Sequence, residues 1–208
     1  MSETNLTIAN RFRGFFPVIV DVETAGFDPL KDALLEIAAV TLKLNDKNHW
    51  CIDEVMSKHI KPFDGANLDA ASLEFTGIDP DHPFRKQIAV TESEAFNEIF
   101  KVIRKKTKDN KCSRAILVGH NSSFDLSFLN ACVERNNIKR NPFHPFSSFD
   151  TATLAGLIYG QTVLSKAALA AGLEWDDEEA HSARYDAEQT AHLFCKIVNK
   201  WNKHSDIF

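Results

Sequence analysis

Phe16-Pro17-Val18-Ile19-Val20-Asp21-Val22-Glu23-Thr24 decides the fold, because an apolar run here ends by carrying two carboxylates. Side chains alternate along a strand, so Ile19, Asp21 and Glu23 share one face while Val18, Val20 and Val22 share the other. A run that is apolar on both faces reads as a central strand covered on both sides. Charges placed there are costly unless they are paired or bound to a cation. Between Gly14 and Leu30 the chain has no Lys or Arg, which leaves a basic residue distant in sequence or a metal ion as the partner.

Outward from this stretch, the next two apolar runs, Ala33–Leu44 and Trp50–Ile60, read as strands joined by the hairpin turn Asn45–Asn48. Short connections make these three strands an antiparallel meander. Pro62–Leu68 reads as a loop and Asp69–Phe75 as a short helix closed by Gly77, followed by the turn-rich Asp79–Pro83. Thr91 is placed to cap a helix running to about Lys106, with Ala95, Phe96, Ile99, Phe100 and Ile103 as its buried stripe. Ala115–Gly119 reads as a short buried strand, and Asn121 or Ser122 can cap a helix to about Asn136. Asn141–Phe146 reads as a rigid loop leading to a short strand and an Ala-rich helix. Ser165–Ala171 and Ser182–Trp201 complete the helices. Strands first, then strands alternating with helices, predict an α/β fold with a mixed sheet, in which three antiparallel strands are followed by parallel ones and flanked by helices. With 208 residues and no linker or repeat, residues 1–208 are expected to form a single domain.

Composition narrows the function classes. Apolar content of 44% and charged content of 25% are ordinary for a globular chain, whereas sixteen phenylalanines are not. No apolar stretch approaches the roughly 20 residues of a membrane span, and Met1–Asn5 lacks the basic and apolar regions of a signal peptide, so a cytoplasmic protein with no membrane partner is expected. The four cysteines, Cys51, Cys112, Cys132 and Cys195, are widely spaced and read as buried free thiols rather than disulfides or a zinc site. A net charge of −5 argues mildly against a nucleic-acid partner, but distribution outweighs the sum.

Two further acids stand on the wrong faces. Asp125 precedes Phe128, Leu129 and Cys132 by three, four and seven residues, which puts it on the apolar stripe of its helix. Asp186 precedes Thr190, Leu193 and Ile197 by four, seven and eleven residues, which likewise puts it on the inward stripe of its helix. Four acids from three elements then converge on the interior, an arrangement that calls for divalent cations; an all-oxygen set suits Mg²⁺ or Mn²⁺ better than zinc. His181 lies five residues before Asp186, about 140° around a helix. Both reach one site only if His181 sits in the turn ahead of the helix, where it is suited to act as a general base toward water.

Asp21-Val22-Glu23-Thr24, Gly119-His120-Asn121-x-x-Phe124-Asp125 and His181-x-x-x-x-Asp186, in that order, resemble the three exonuclease motifs of the DEDD superfamily, His subgroup, with its ribonuclease-H-like fold. Arg11–Phe15, Asp32–Ala39, Phe75–Pro80 and Arg140–Phe146 resemble the ribonuclease T branch of that superfamily. The resemblance implies a homodimeric 3′-to-5′ exoribonuclease that trims single-stranded 3′ ends of transfer RNA and other structured RNAs, and also digests single-stranded DNA 3′ ends. It implies two Mg²⁺ ions per active site, replaceable by Mn²⁺, held by Asp21, Glu23, Asp125 and Asp186, with His181 as the base and a possible further ligand. It also implies base stacking by Phe27, Phe75, Phe124 and Phe146. A phosphate-binding patch of Arg11, Arg13, Lys108, Arg114, Lys139 and Arg140 would serve the partner's active site. One departure is that Ala71 stands where this branch has a Glu facing the terminal base, with Glu74 close but not equivalent. Alternative readings are a proofreading-type DNA exonuclease, an oligoribonuclease, or an RNA-binding module without catalysis.

Overall fold

A computed structural model describes residues 7–202, leaving the side chain of Asn202 aside; residues 1–6 and 203–208 lie outside the described residues. Two short 3-10 turns, Ile8–Asn10 and Phe12–Gly14, lead into β1 (Phe15–Thr24). β2 (Leu34–Leu44) and β3 (Trp50–His59) follow, then α1 (Ala70–Thr76), α2 (Pro83–Ile88), α3 (Glu92–Asp109), β4 (Arg114–Gly119) and α4 (Ser123–Arg135). β5 (Phe143–Asp150), α5 (Thr151–Tyr159), α6 (Leu164–Ala170) and α7 (Ala183–Asn202) complete the order. The strands form one sheet in the order β3-β2-β1-β4-β5, with β1 antiparallel to β2 and parallel to β4. The α/β class, the meander and the central place of β1 are as the sequence predicts.

β1 is central because both of its faces bury. Phe16, Val18, Ile19 and Val20 are all but inaccessible to solvent. Pro17 is tolerated because pairing with β2 begins only at Val18, so its missing N–H costs no ladder bond on that side. α7 covers one face of β1–β3 through Ala187, Ala191, Phe194 and Val198, and Phe96, Phe100 and Phe128 from α3 and α4 join the same core. α3 begins at a capping box: Thr91 accepts from the Glu94 N–H while the Glu94 carboxylate accepts from the Thr91 N–H. Among the described residues no helix is long and apolar enough to cross a membrane.

Two segments differ from the sequence reading. Phe143–Phe146, expected as a rigid loop, already belongs to β5, with Pro145 inside it. β5 is an edge strand and its register against β4 is broken between Ala115 and Leu117, the setting in which a proline is accommodated. The turn-rich Asp79–Pro83 leads into α2, a helix the sequence reading does not contain; Pro83 at its first position was the available signal.

Candidate active site

The site forms where β1, α4 and α7 meet. Asp21, Glu23 and Asp186 each offer a carboxylate oxygen, and these three oxygens lie within 4.8 Å of one another. Asp125, buried in the first turn of α4, stands beside this trio and is held by the Val22 N–H, which donates to Asp125 Oδ1 at 3.2 Å. Gly119 permits that approach: a Cβ there would lie 2.8 Å from Asp125 Oδ2 and 3.0 Å from the Ser122 Cα.

Electrostatics follow from crowding without countercharge. Burial, then repulsion from Asp125, Glu23, Asp186 and Glu36, pushes Asp21 well above the usual carboxylate range. Burial and the same kind of repulsion push Glu23 up to about 8. Asp125 rises to about 7 through burial, partly offset by its backbone hydrogen bonds. Asp186 rises to about 6 through burial, drawn back by the charge and backbone N–H of His181. Among the described residues none of Asp21, Glu23 and Asp186 has an ion-pair partner, and Asp186 Oδ1 is buried without a hydrogen bond. An orphaned buried oxygen within a trio of hard oxygen donors is what a divalent cation satisfies, so the residues fit a metal of the Mg²⁺ or Mn²⁺ type.

His181 lies in the turn before α7, in the left-handed region at φ 66°, solvent-exposed. Its ring sits 4.6 Å from that of Phe75. The imidazole therefore stands at the rim of a cleft of about 370 Å³ whose walls include Glu23, Phe27, Phe75 and Phe124. Phe27 is 84% exposed and Phe75 70%, large rings left uncovered beside buried carboxylates. Phe124 is half-buried, edge-on to Phe27 at 6.2 Å. Ala71 also lines this cleft.

The two walls are tied together from behind. Asp32 Oδ2 accepts from the Asp28 N–H in the Phe27 loop and Oδ1 accepts from Asn67 Nδ2. The Asp69 N–H donates to the Ala25 carbonyl while the Asp69 side chain caps α1, the helix that carries Phe75. Gly26 is obligatory in this turn, since a Cβ there would lie 2.0 Å from Asp32 Oδ2.

The remaining candidates lie elsewhere. Phe146, 80% exposed, is not on the cleft wall; its ring stands edge-on to His144 at 4.5 Å. Lys108 and Arg114 line a separate basic cavity of about 520 Å³ with Arg104 and Lys111. Lys139 and Arg140 are exposed, and the Arg140 carbonyl accepts from Arg104. Arg11 stacks over Phe12, and Arg13 over Phe15. Phe15 pairs with Arg114 at the start of β4, so these cations gather at the opposite end of β1 from Asp21, about 20 Å away at 3.3 Å per strand residue. Sequence reasoning missed Glu36, His59 and Arg85, a partly buried hydrogen-bonded group beside Glu23.

Comparison with known proteins agrees with this arrangement. Among solved structures, E. coli exonuclease I in complex with a dT13 oligonucleotide superposes with a TM-score of 0.69 at 18% identity, over 93% of this chain and 43% of that one. A full-length 3′-exonuclease gives 0.69 at 16% identity over 90% and 84%. A 3′-exonuclease described in recognition of the histone mRNA stem-loop gives 0.69 at 18% over 89% and 64%. The chain spans less than half the length of exonuclease I, and at these identities the likeness is one of fold. The model of the RNase_T family, described as exonuclease, matches residues 18–194, a span that runs from the first strand to the last helix and takes in every acid of the cluster, and by that match the chain belongs to this exonuclease family, within the DEDD superfamily of ribonuclease-H-like fold.

Proposed function

We propose that this chain is a 3′-to-5′ exoribonuclease that trims single-stranded 3′ ends of transfer RNA and other structured RNAs, acts with Mg²⁺ as a cytoplasmic homodimer, and also accepts single-stranded DNA 3′ ends. One observation carries the reading: Glu23 lines the same cleft as Phe27, Phe75 and Phe124. A terminal base stacked on those rings has its phosphodiester beside the acidic cluster, and a base can present its face to a ring in this way only once it is unpaired. Stacking tolerates every base, and in this cleft the other polar side chains are already used: Thr24 donates to the Gly26 carbonyl, Thr76 to the Ser72 carbonyl, and Asp69 caps α1.

Asp21, Glu23 and Asp186, with Asp125 behind them, are the residues that would hold the cations. Bound there, divalent metal supplies Lewis acidity toward the phosphate and toward water. His181, exposed at the cleft rim, takes the proton of the attacking water on an imidazole nitrogen and returns it to solvent. Phe27 and Phe75 fix the terminal nucleotide, and the Asp32–Asn67 tie keeps their spacing. The basic residues at the far end of β1 are out of reach of this cleft within one chain, which supports their use on substrate held by a second protomer.

Incubation of the purified chain in Mg²⁺ with 5′-labelled RNA bearing a single-stranded 3′ tail tests the reading. The expected products are a ladder shortening from the 3′ end and stopping near the duplex. Internal cleavage, or shortening of tailed DNA with tailed RNA left intact, would reject it. The likeness to an exonuclease I bound to dT13 favours activity on single-stranded DNA as the second reading, and a DNA arm of the same experiment measures it.

A further inference from the structure

Glu36 on β2 is the cross-strand partner of Glu23, and His59 on β3 is the cross-strand partner of Glu36. Directly opposed residues of antiparallel strands share one face of the sheet, so a further carboxylate stands next to the acidic cluster on the cluster's own face. Its charge acts on both Glu23 and Asp21. Unlike theirs, its charge is matched. Arg85 Nη1 donates to Glu36 Oε1 at 2.8 Å, the same oxygen lies 2.8 Å from His59 Nδ1, and Arg85 Nη2 donates to the Leu35 carbonyl. Arg85 is buried, and it reaches Glu36 from α2.

That reach is fixed by the backbone. The Val90 N–H donates to the His59 carbonyl and the Lys61 N–H to the Val90 carbonyl, while the Ala89 N–H donates to the Arg85 carbonyl at the end of α2. The helix that carries Arg85 is thereby fastened to the strand end that carries His59. The acid on this face that has a guanidinium is the one outside the 4.8 Å trio; the three inside it have none among the described residues.

We propose that Arg85 is a positioning residue for the cation site: it offsets part of the charge of Glu36 and ties it down, so that the carboxylate beside Glu23 acts on the cluster less than a lone charge would and does not enter the cation's coordination. The inference rests on the reading of Asp21, Glu23 and Asp186 as a divalent-cation site. Two changes of opposite sign follow. Removing the guanidinium leaves Glu36 with His59 as its one side-chain partner next to the cluster, so more of its negative charge is felt by the cation, which strengthens cation binding. Removing the carboxylate leaves an unmatched guanidinium there, which weakens it.

Titration calorimetry of the full-length chain with Mn²⁺ alone, in metal-free buffer, separates the possibilities. R85M is expected to bind Mn²⁺ about tenfold more tightly and E36Q about tenfold more weakly, the size of one unit of charge acting on a doubly charged ion at about 10 Å through an effective dielectric of about 50, between the surface and bulk-water values. The double variant R85M/E36Q is expected to return to within about twofold of the parent, because both charges of the pair are gone. Circular dichroism checks folding, and Arg85→Gln replaces R85M in the same cycle should R85M not fold. If the parent binds Mn²⁺ but loss of Arg85 leaves the affinity unchanged or weaker, or the double variant shows no cancellation, the inference falls while the cation site stands. A parent chain that binds no Mn²⁺ overturns the cation-site reading and this inference with it.

Discussion

Asp21 works against the stability of the molecule that carries it. It is surrounded by Asp125, Glu23, Asp186 and Glu36, all of which raise its pKa. D21N is expected to abolish 3′ shortening and, in metal-free buffer, to melt higher than the parent by an amount on the order of 1 kcal/mol, as is common where activity requires an unfavourable site. A calorimetric scan with EDTA gives the second readout, and a lower melting temperature would contradict the crowding. The sign of the pH dependence follows from the same groups. Glu23, Asp125 and Asp186 have folded-state pKa values raised to about 8, 7 and 6. Their contribution to stability is fully present below the ordinary carboxylate range and is lost as pH rises through those values. The metal-free protein should therefore lose this contribution between about pH 4 and pH 8, and the gain in melting temperature on adding Mg²⁺ should be larger at pH 8.5 than at pH 5.5. H181A should slow turnover by about 10²–10⁴-fold while leaving that Mg²⁺-induced gain in place.

At the scale of elements, the legible part of the site is the part written in local periodicity. Strand alternation puts Asp21 and Glu23 on one face, and helical offsets put Asp125 among Phe128, Leu129 and Cys132; both patterns are complete within a few residues. Arg85 escaped because its partners Glu36 and His59 lie 49 and 26 residues away along the chain, and because α2 is only six residues long behind a cluster of turn formers. Phe146 was grouped with the cleft rings by motif, whereas the irregular edge strand β5 sets it against His144. Truncating Phe27 or Phe75 to alanine is accordingly expected to weaken binding of a 3′ tail by about 1–3 kcal/mol, with F146A measurably milder in the same binding titration. The junction of α3 and α4 carries the opposite pH behaviour from the active site. Burial pushes Glu92 up, but hydrogen bonds from Arg135, Asn136 and Cys132 and the charge of Arg135 outweigh it and hold the carboxyl below the usual Glu value. That contribution is present above the ordinary Glu pKa and is lost as pH falls through the depressed one. R135A strands a buried carboxylate and is expected to cost about 3 kcal/mol in urea unfolding at pH 7, with a smaller deficit at pH 4.

For the molecule as a whole, the separation of the acidic end of β1 from its basic end has a measurable signature. K108A/R114A should lower affinity for tailed RNA and flatten its salt dependence by about two phosphate contacts, with no effect on the Mg²⁺-induced gain in melting temperature. Light scattering is expected to give twice the mass of one chain, and a fully active monomer would remove the role proposed for that patch in trans. The sheet order has a further consequence. With β1 flanked by two strands on each side and sealed above and below, the amides of Val18, Ile19 and Val20 can exchange with deuterium only when the entire fold opens. Asp21 and Glu23 thus ride on the segment that comes apart last, so their half of the acidic cluster keeps its shape after the exposed rim that carries His181, Phe27 and Phe75 has begun to fray.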